Sequence, residues 1–204
     1  MLAETKDEMR EKILDVALKR FTHYGSAKTT MNDIADDLRC SKASLYYYYP
    51  DKKGLHKAVL EKIAGQFMAA IEAEVEKMES AEQCLSSINE IRITYLQRFS
   101  RLELFKMLNE AHHRNGGMTE MVRRVRNKDN EVLARVIRTG ISSGELKPTD
   151  PEKMAILYNQ ATMGLRFTVP DRSPDYDTLD PEELEGIAQQ QQLLTDIFIK
   201  ALKQ

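Results

Sequence analysis

Apolar residues recur at three- and four-residue steps along almost the whole of this chain, and no stretch shows the alternation typical of a half-buried strand. The first periodic stretch runs from about Asp7 to Tyr24 and is followed by Gly25, a residue type that commonly ends helices. Such spacing places apolar side chains on one face of a helix and polar side chains on the other. The sequence therefore predicts an all-α protein.

The predicted helices divide into a segment of short helices and a segment of longer ones. Ser41 and Pro50 bracket the third helix, because serine favours the N-cap position and proline suits only the start of a following helix. About nine helices are predicted, over residues 7–24, 31–38, 42–49, 52–78, 81–99, 101–114, 118–143, 151–169 and 181–203. The change in helix length predicts two domains, residues 1–51 and residues 52–204.

The distribution of charge also separates the two segments. Residues 1–60 carry a net charge of +2 and the other residues a net charge of −4, although the whole 204-residue chain carries only −2. A small cationic unit on a mildly acidic body allows a nucleic-acid partner for the first segment.

The composition predicts a cytoplasmic protein without a membrane partner. No apolar run approaches the roughly 20 residues that cross a bilayer. The opening "MLAETKDEMREK" lacks an apolar core and carries acids, so it does not resemble a signal peptide. Cys40 and Cys84 stand far apart and show no metal-ligand spacing, which predicts free thiols in a reducing compartment. No cofactor and no metal site are predicted.

Two short helices, joined by the tight break at "RCS" and braced by the longer first helix, predict a helix-turn-helix. Such a unit lays its second helix in the major groove of DNA. On a helical wheel Leu45 and Tyr49 point inward, and Tyr48 lies at the edge of that face. The opposite face carries Lys42, Ala43, Tyr46 and Tyr47, with Ser44 beside them.

These residue types suit contact with a duplex. Lysine donates to guanine or phosphate, a tyrosine hydroxyl bonds a phosphate oxygen while its ring packs on a sugar or thymine methyl, and alanine allows close approach. Thr30 is predicted as the N-cap of the second helix, where free N–H groups can bind a phosphate. Lys52, at the start of the fourth helix, can bind another. The alternative is that the tyrosines only pack the third helix on its neighbours and the lysines are solvated.

The stretch "KILDVALKRFTHYGSAKTTMNDIADDLRCSKASLYYYYPDKKGLHKAVL", residues 12–60, resembles the DNA-binding domain of the tetracycline-repressor (TetR) family. That domain has an "LY-aromatic-aromatic" recognition helix followed by a lysine-containing turn and a leucine. The resemblance implies phosphate contacts by Thr30, Tyr46 and Lys52. It implies that the base-facing positions are Lys42, Ala43, Ser44, Tyr47 and Tyr48.

The same resemblance implies an all-helical, homodimeric repressor whose larger C-terminal domain binds a small ligand. The last two helices then form the dimer. Candidates for that surface are Leu157, Met163, Leu165, Phe167, Ile187, Leu194, Ile197 and Ile199. Candidates for the effector site are Phe67, Tyr95, Phe99, Met107, His112, Met163 and Phe167.

The turn departs from the family pattern at Arg39 and Cys40, where a pair such as Gly-Val is usual. A left-handed backbone at Arg39 would cost on the order of 1 kcal/mol relative to glycine. Either the turn is of another type or Arg39 gains a compensating contact, such as a phosphate. Arg39 is therefore a further candidate DNA-binding residue.

Two other classes of function stay open from the sequence. An enzyme is disfavoured because there is no Gly-rich phosphate loop, nucleophile motif or metal spacing, and carboxylates such as Glu72, Glu103 and Glu110 cannot be paired by sequence. An interaction module that has kept the N-terminal helices but lost DNA binding would show no salt-dependent affinity for a duplex.

Overall fold

The computed structural model describes residues 5–99, 117–165 and 181–203. These residues form eight helices and no strand. The helices are α1 (Lys6–Tyr24), α2 (Met31–Leu38), α3 (Lys42–Tyr48), α4 (Lys52–Glu76), α5 (Ala81–Arg98), α6 (Gly117–Ser142), α7 (Pro151–Gly164) and α8 (Pro181–Leu202). The all-α prediction is confirmed. The helix predicted over 101–114 and the last residues of that predicted over 151–169 lie outside the described residues.

Side-chain caps set the starts of most helices. In each case a Thr, Ser or Asp oxygen accepts the backbone N–H three residues further on, which satisfies a donor that has no partner within the helix. The N-caps are Thr5, Thr30, Ser41, Asp51, Ser80 and Asp150. The predicted caps at Thr30 and Ser41 are thus confirmed.

The N-terminal core joins α1, α2, α3 and the first half of α4. Phe21, Ile34 and Leu45 are completely buried in it, together with Leu55 and Val59 of α4. Two residues from further along the chain complete this core, Phe99 at the end of α5 and Met121 in α6. The packing of the first three helices therefore depends on contacts from the larger part of the chain.

The second core lies among α4 to α8 and combines apolar layers with a buried polar cluster. Leu85, Ile88 and Ile137 are fully buried in its apolar part. The polar cluster comprises Asn89, Arg92, Asp129, Tyr158, Asn159, Gln191 and Thr195, which are all buried. Hydrogen bonds across it link α5 to α6, α7 and α8, as in Asn89 Nδ2 to Thr195 Oγ1 at 2.6 Å. These bonds fix how the long helices lie relative to one another.

Candidate nucleic-acid interface

The turn between α2 and α3 is built on a left-handed residue. Arg39 has φ 52° and ψ 38°, and it is the only non-glycine residue with positive φ among the described ranges. Its N–H donates to Asp36 O at 3.0 Å, and the N–H of Cys40 donates to Ala35 O at 3.0 Å. This pair of bonds forms a Schellman motif, which ends a helix and reverses the chain within two residues. The first alternative from the sequence, a turn of another type, is therefore wrong.

The turn presents α3 with one face inside the protein and the other in solvent. Leu45 is completely buried and Tyr49 is 9% exposed, whereas Tyr46 is 45% exposed and Tyr47 is 69% exposed. Tyr48 and Ser44 are half-buried, and Lys42 and Ala43 are exposed. The predicted inward and outward faces of α3 are confirmed, while the DNA contacts of the outward residues stay predictions.

The ring of Tyr47 contacts two neighbouring side chains, Tyr48 and Lys6. Its ring meets that of Tyr48 edge to face, with the centroids 5.2 Å apart. The ammonium group of Lys6, at the start of α1, lies 5.3 Å from the centroid of the Tyr47 ring. Lys6 therefore adds a positive charge at the exposed edge of α3. The sequence analysis missed Lys6 because only the packing of α1 on α3 brings these distant positions together.

The start of α2 is less open to phosphate than the sequence suggested. Asp33 Oδ2 accepts from both the N–H and the hydroxyl of Thr30, at 2.8 Å each. These bonds from Thr30 hold the pKa of Asp33 below its ordinary value, so its carboxylate stays ionised at this helix start. A phosphate contact by Thr30 stays a prediction, and it requires the phosphate to bind beside this negative charge.

Lys52 lies near the same helix start. Its Nζ donates to the backbone oxygen of Ala27 at 3.3 Å, in the segment between α1 and α2. This bond positions a cation beside the segment that leads into α2, three residues before Thr30 along the chain. A lysine at this position keeps two further donors for a phosphate.

An exposed second helix bearing lysine and tyrosine, held by a tight turn and braced by a longer helix, defines a helix-turn-helix DNA-binding protein. Comparison with known proteins narrows this class. Residues 13–59 match the family described as "Bacterial regulatory proteins, tetR family". Residues 13–59 therefore carry a DNA-binding domain of the TetR type, and the curated relatives of the chain are transcriptional regulators.

Relatives extend the similarity beyond the first domain. The chain is 24% identical to the HTH-type transcriptional regulator YhgD of Bacillus subtilis, over 88% of this chain and 92% of that protein. It is 26% identical to a transcriptional regulator from Cytophaga hutchinsonii, whose crystal structure superposes with a TM-score of 0.85 and covers 95% of this chain and 98% of that one. A regulator from Saccharomonospora viridis in complex with choline is 20% identical, with a TM-score of 0.72, and covers 98% of this chain and all of that one.

The structure brings some of the predicted effector residues together. The rings of Phe67 and Tyr95 meet at a centroid distance of 5.3 Å, and those of Tyr95 and Phe99 at 5.6 Å. Phe67 and Tyr95 are half-buried, but Phe99 is only 1% exposed and belongs to the N-terminal core. Met163 is half-buried on α7. Met107, His112 and Phe167 lie outside the described residues.

The apolar surface of α7 and α8 differs in part from the predicted dimer surface. Leu157 and Ile197 are 55% and 58% exposed, as that surface requires. Ile187 and Ile199 are wrong candidates, because each is 2% exposed and faces the interior of its own subunit. Ile156 and Leu193 are also exposed, although the sequence did not single them out. Ile156 and Leu157 are adjacent, and Leu193 and Ile197 are four residues apart on α8. Which apolar residues lie on the surface therefore depends on how each helix is rotated about its axis, and the sequence did not determine that rotation.

The described part of the chain offers neither a cluster of metal ligands nor a membrane-spanning helix. No group of three or more His, Cys, Asp and Glu side chains in these ranges could hold a metal ion. None of the described helices is both long enough and apolar enough to cross a membrane.

Proposed function

We propose that this regulator binds an inverted-repeat operator as a homodimer, represses transcription from it, and is released by a small molecule bound in the C-terminal helices. The observation that carries this proposal is the outward face of α3, where Tyr46 and Tyr47 are exposed next to Lys42. Large aromatic side chains left in solvent beside a lysine suit sugar, phosphate and base edges in a major groove. A bound dimer at a promoter would exclude polymerase from the same DNA, in the cytoplasm where that DNA lies.

The exposed apolar residues of α7 and α8 support the dimer. Four large apolar side chains are left 43–60% exposed on these helices, Ile156 and Leu157 on α7 and Leu193 and Ile197 on α8. A two-fold dimer places the same patch of both subunits against itself. The two α3 helices would then face successive major grooves about 34–36 Å apart, or somewhat more, and the operator would be an inverted repeat.

The contact between the aromatic rings supports release by a ligand. Tyr95 of α5 touches Phe67 of α4 on one side and Phe99 on the other, and Phe99 is buried in the N-terminal core. A ligand that moves Tyr95 would therefore shift residues against which the helix-turn-helix packs. A coupling free energy of about 1–3 kcal/mol is typical of such two-state systems. The choline bound by the Saccharomonospora viridis regulator supports a small effector for this chain.

Selection of bound duplexes from a random library tests the proposal. We expect an inverted repeat to be enriched and its affinity to fall steeply as salt concentration rises, since phosphate contacts release counterions. Light scattering on the same protein should report a dimer at micromolar concentration. Recovery of no sequence, together with an affinity for duplex DNA that does not depend on salt, would contradict the proposal and favour an interaction module.

A further inference from the structure

A groove of about 280 Å³ runs between α4 and α5, on the surface of the larger part of the chain. Its walls are residues that repeat at helical spacing on two neighbouring helices, so the groove follows the helix axes. The lining residues are Ala70, Glu74, Ser87, Glu90, Ile91, Thr94 and Tyr95. The short connection 77–80 joins the end of α4 to the start of α5, so the two helices are antiparallel neighbours.

The groove contains two carboxylates that the fold does not neutralise. Neither Glu74 nor Glu90 forms an ion pair within the part of the chain that the structure describes. Other acids of α4 differ in this respect, because Glu61 faces Arg124 and Glu72 faces Lys128 and Arg135. Glu74 is half-buried, so its charge is less screened than that of a fully solvated residue.

An aromatic ring also lines the groove. Tyr95 lines it, and the ring of Tyr95 is fixed edge to face against Phe67, with the centroids 5.3 Å apart. Phe67 precedes Glu74 by two helical turns, which separates the rings from that carboxylate by about 10 Å along α4. Ala70 and Ile91 provide apolar walls. The groove thus combines the carboxylate of Glu74, apolar walls, and a second carboxylate, Glu90, five residues before Tyr95 on α5.

We infer that this groove binds an organic cation that carries an amine or ammonium group and an apolar or aromatic part. The cation takes the place of the missing partners of Glu74 and Glu90 through charge-assisted hydrogen bonds or ion pairs. The apolar part of the ligand lies over Ala70 and Ile91, against the ring of Tyr95. An anionic ligand is repelled by both carboxylates.

This site deepens the proposed function and rests on it for its consequence. A ligand against Tyr95 touches the ring that packs on Phe99, and Phe99 completes the core of the helix-turn-helix domain. Occupancy of the groove would therefore bias the position of α4 relative to that domain. Binding of the cation itself requires only the groove.

Calorimetric titration of the full chain with 4-phenylbutylamine, without DNA, tests the site. The anion 4-phenylbutyrate and the neutral 4-phenylbutanol, which keep the chain and ring but change the charge, are the matched probes. We expect the amine to bind, the alcohol to bind at least about tenfold more weakly, and the anion not to bind. Equal binding of all three probes, or no binding of the amine, overturns the inference.

Three variants locate the binding. Glu74→Gln and Glu90→Gln should each weaken the amine about tenfold, and the double variant should abolish its binding. Glu76→Gln is the matched control, because Glu76 is an exposed acid of α4 that does not line the groove. An unchanged affinity in the double variant contradicts the site. Operator binding, measured separately, stays intact in that case, so failure of the groove and failure of the DNA-binding proposal are distinguishable.

Discussion

Arg92 Nη2 lies 2.8 Å from Asp129 Oδ2, and the two side chains are 0% and 1% exposed. This ion pair joins α5 to α6 inside the larger part of the chain, where Asn89 Oδ1 and Asn159 Oδ1 also accept from the guanidinium at 3.4 Å. Arg92 Nε and Asp129 Oδ1 have no hydrogen-bond partner among the described residues. The desolvation of this pair is therefore only partly offset.

Removing one member of this pair should be worse than removing both. We expect Arg92→Met or Asp129→Leu alone to lower the free energy of unfolding by about 3–5 kcal/mol, because each leaves an uncompensated buried charge. The double variant should lose less than either single one. Urea unfolding followed by circular dichroism, at a fixed protein concentration, measures this.

The exposed pair of Arg138 and Glu152 is the control for that experiment. Arg138→Met and Glu152→Gln should each change the stability by less than about 1 kcal/mol, because exposed pairs contribute little. If the losses of Arg92→Met and Asp129→Leu add in the double variant, the two charges do not stabilise one another.

Arg39→Gly should stabilise the folded protein and lower its affinity for DNA. Glycine adopts the left-handed conformation of this turn without strain, so the free energy of unfolding should rise by up to about 1 kcal/mol. If Arg39 also contacts a phosphate, the negative slope of log affinity for the operator against log salt concentration should become shallower by about one. Arg39→Ala removes the charge but keeps the strained backbone, and it separates the two effects. A stability loss in Arg39→Gly would contradict the strain.

The two cysteines should differ in reactivity. Burial raises the pKa of the Cys84 thiol to about 11, and Glu74 adds to this effect, so little thiolate forms near neutral pH. Cys40 is half-buried at the turn. Iodoacetamide at pH 8 should label Cys40 in the folded protein and Cys84 only after unfolding, as read by mass spectrometry. Equal labelling rates in the folded state would show that Cys84 is open to solvent.

Acid should remove the stabilisation that Glu72 provides between α4 and α6. The hydrogen bond from Arg135, then that from Lys128, holds the pKa of Glu72 below the ordinary value for glutamate. The contribution is complete above that ordinary value and is lost as pH falls through the lower pKa of the folded state. Glu72→Gln should therefore lower the free energy of unfolding at pH 7 by under about 1 kcal/mol. It should also flatten the acid limb of the curve of stability against pH. Glu76→Gln should not flatten it, and equal acid limbs for wild type and Glu72→Gln would contradict this assignment.

The local features of the first domain could be predicted from the sequence because short-range rules decide them. The cap at Thr30, the end of α3 before Pro50 and the two faces of α3 follow from residue type and helical spacing. Lys6 beside Tyr47 could not be predicted, since the two are joined only by the packing of α1. The same limit applies to Ile187 and Ile199, because apolar residues on both sides of α8 give no sequence signal for which side faces the interior.

The groove between α4 and α5 likewise combines residues that the sequence singled out with residues that only the packing of the helices brings together. The sequence named Phe67 and Tyr95 as effector candidates, and that role stays a prediction, whereas Glu74 and Glu90 were not named as candidates. Acids on helices are usually solvated or paired, and only the contact of α4 with α5 places these two beside an aromatic ring.

The most direct test of the account is the affinity of the selected operator for a variant with both Lys42→Ala and Tyr47→Ala, measured by fluorescence anisotropy. A second variant with Lys19→Ala and Tyr24→Ala is the matched control, because it removes an exposed lysine and an exposed tyrosine that belong to α1 and not to α3. The account predicts that the α3 variant loses about 100-fold or more in affinity. The control should bind normally, and both variants should stay helical and dimeric. Wild-type affinity in the α3 variant would contradict the assignment of α3 as the helix that reads DNA.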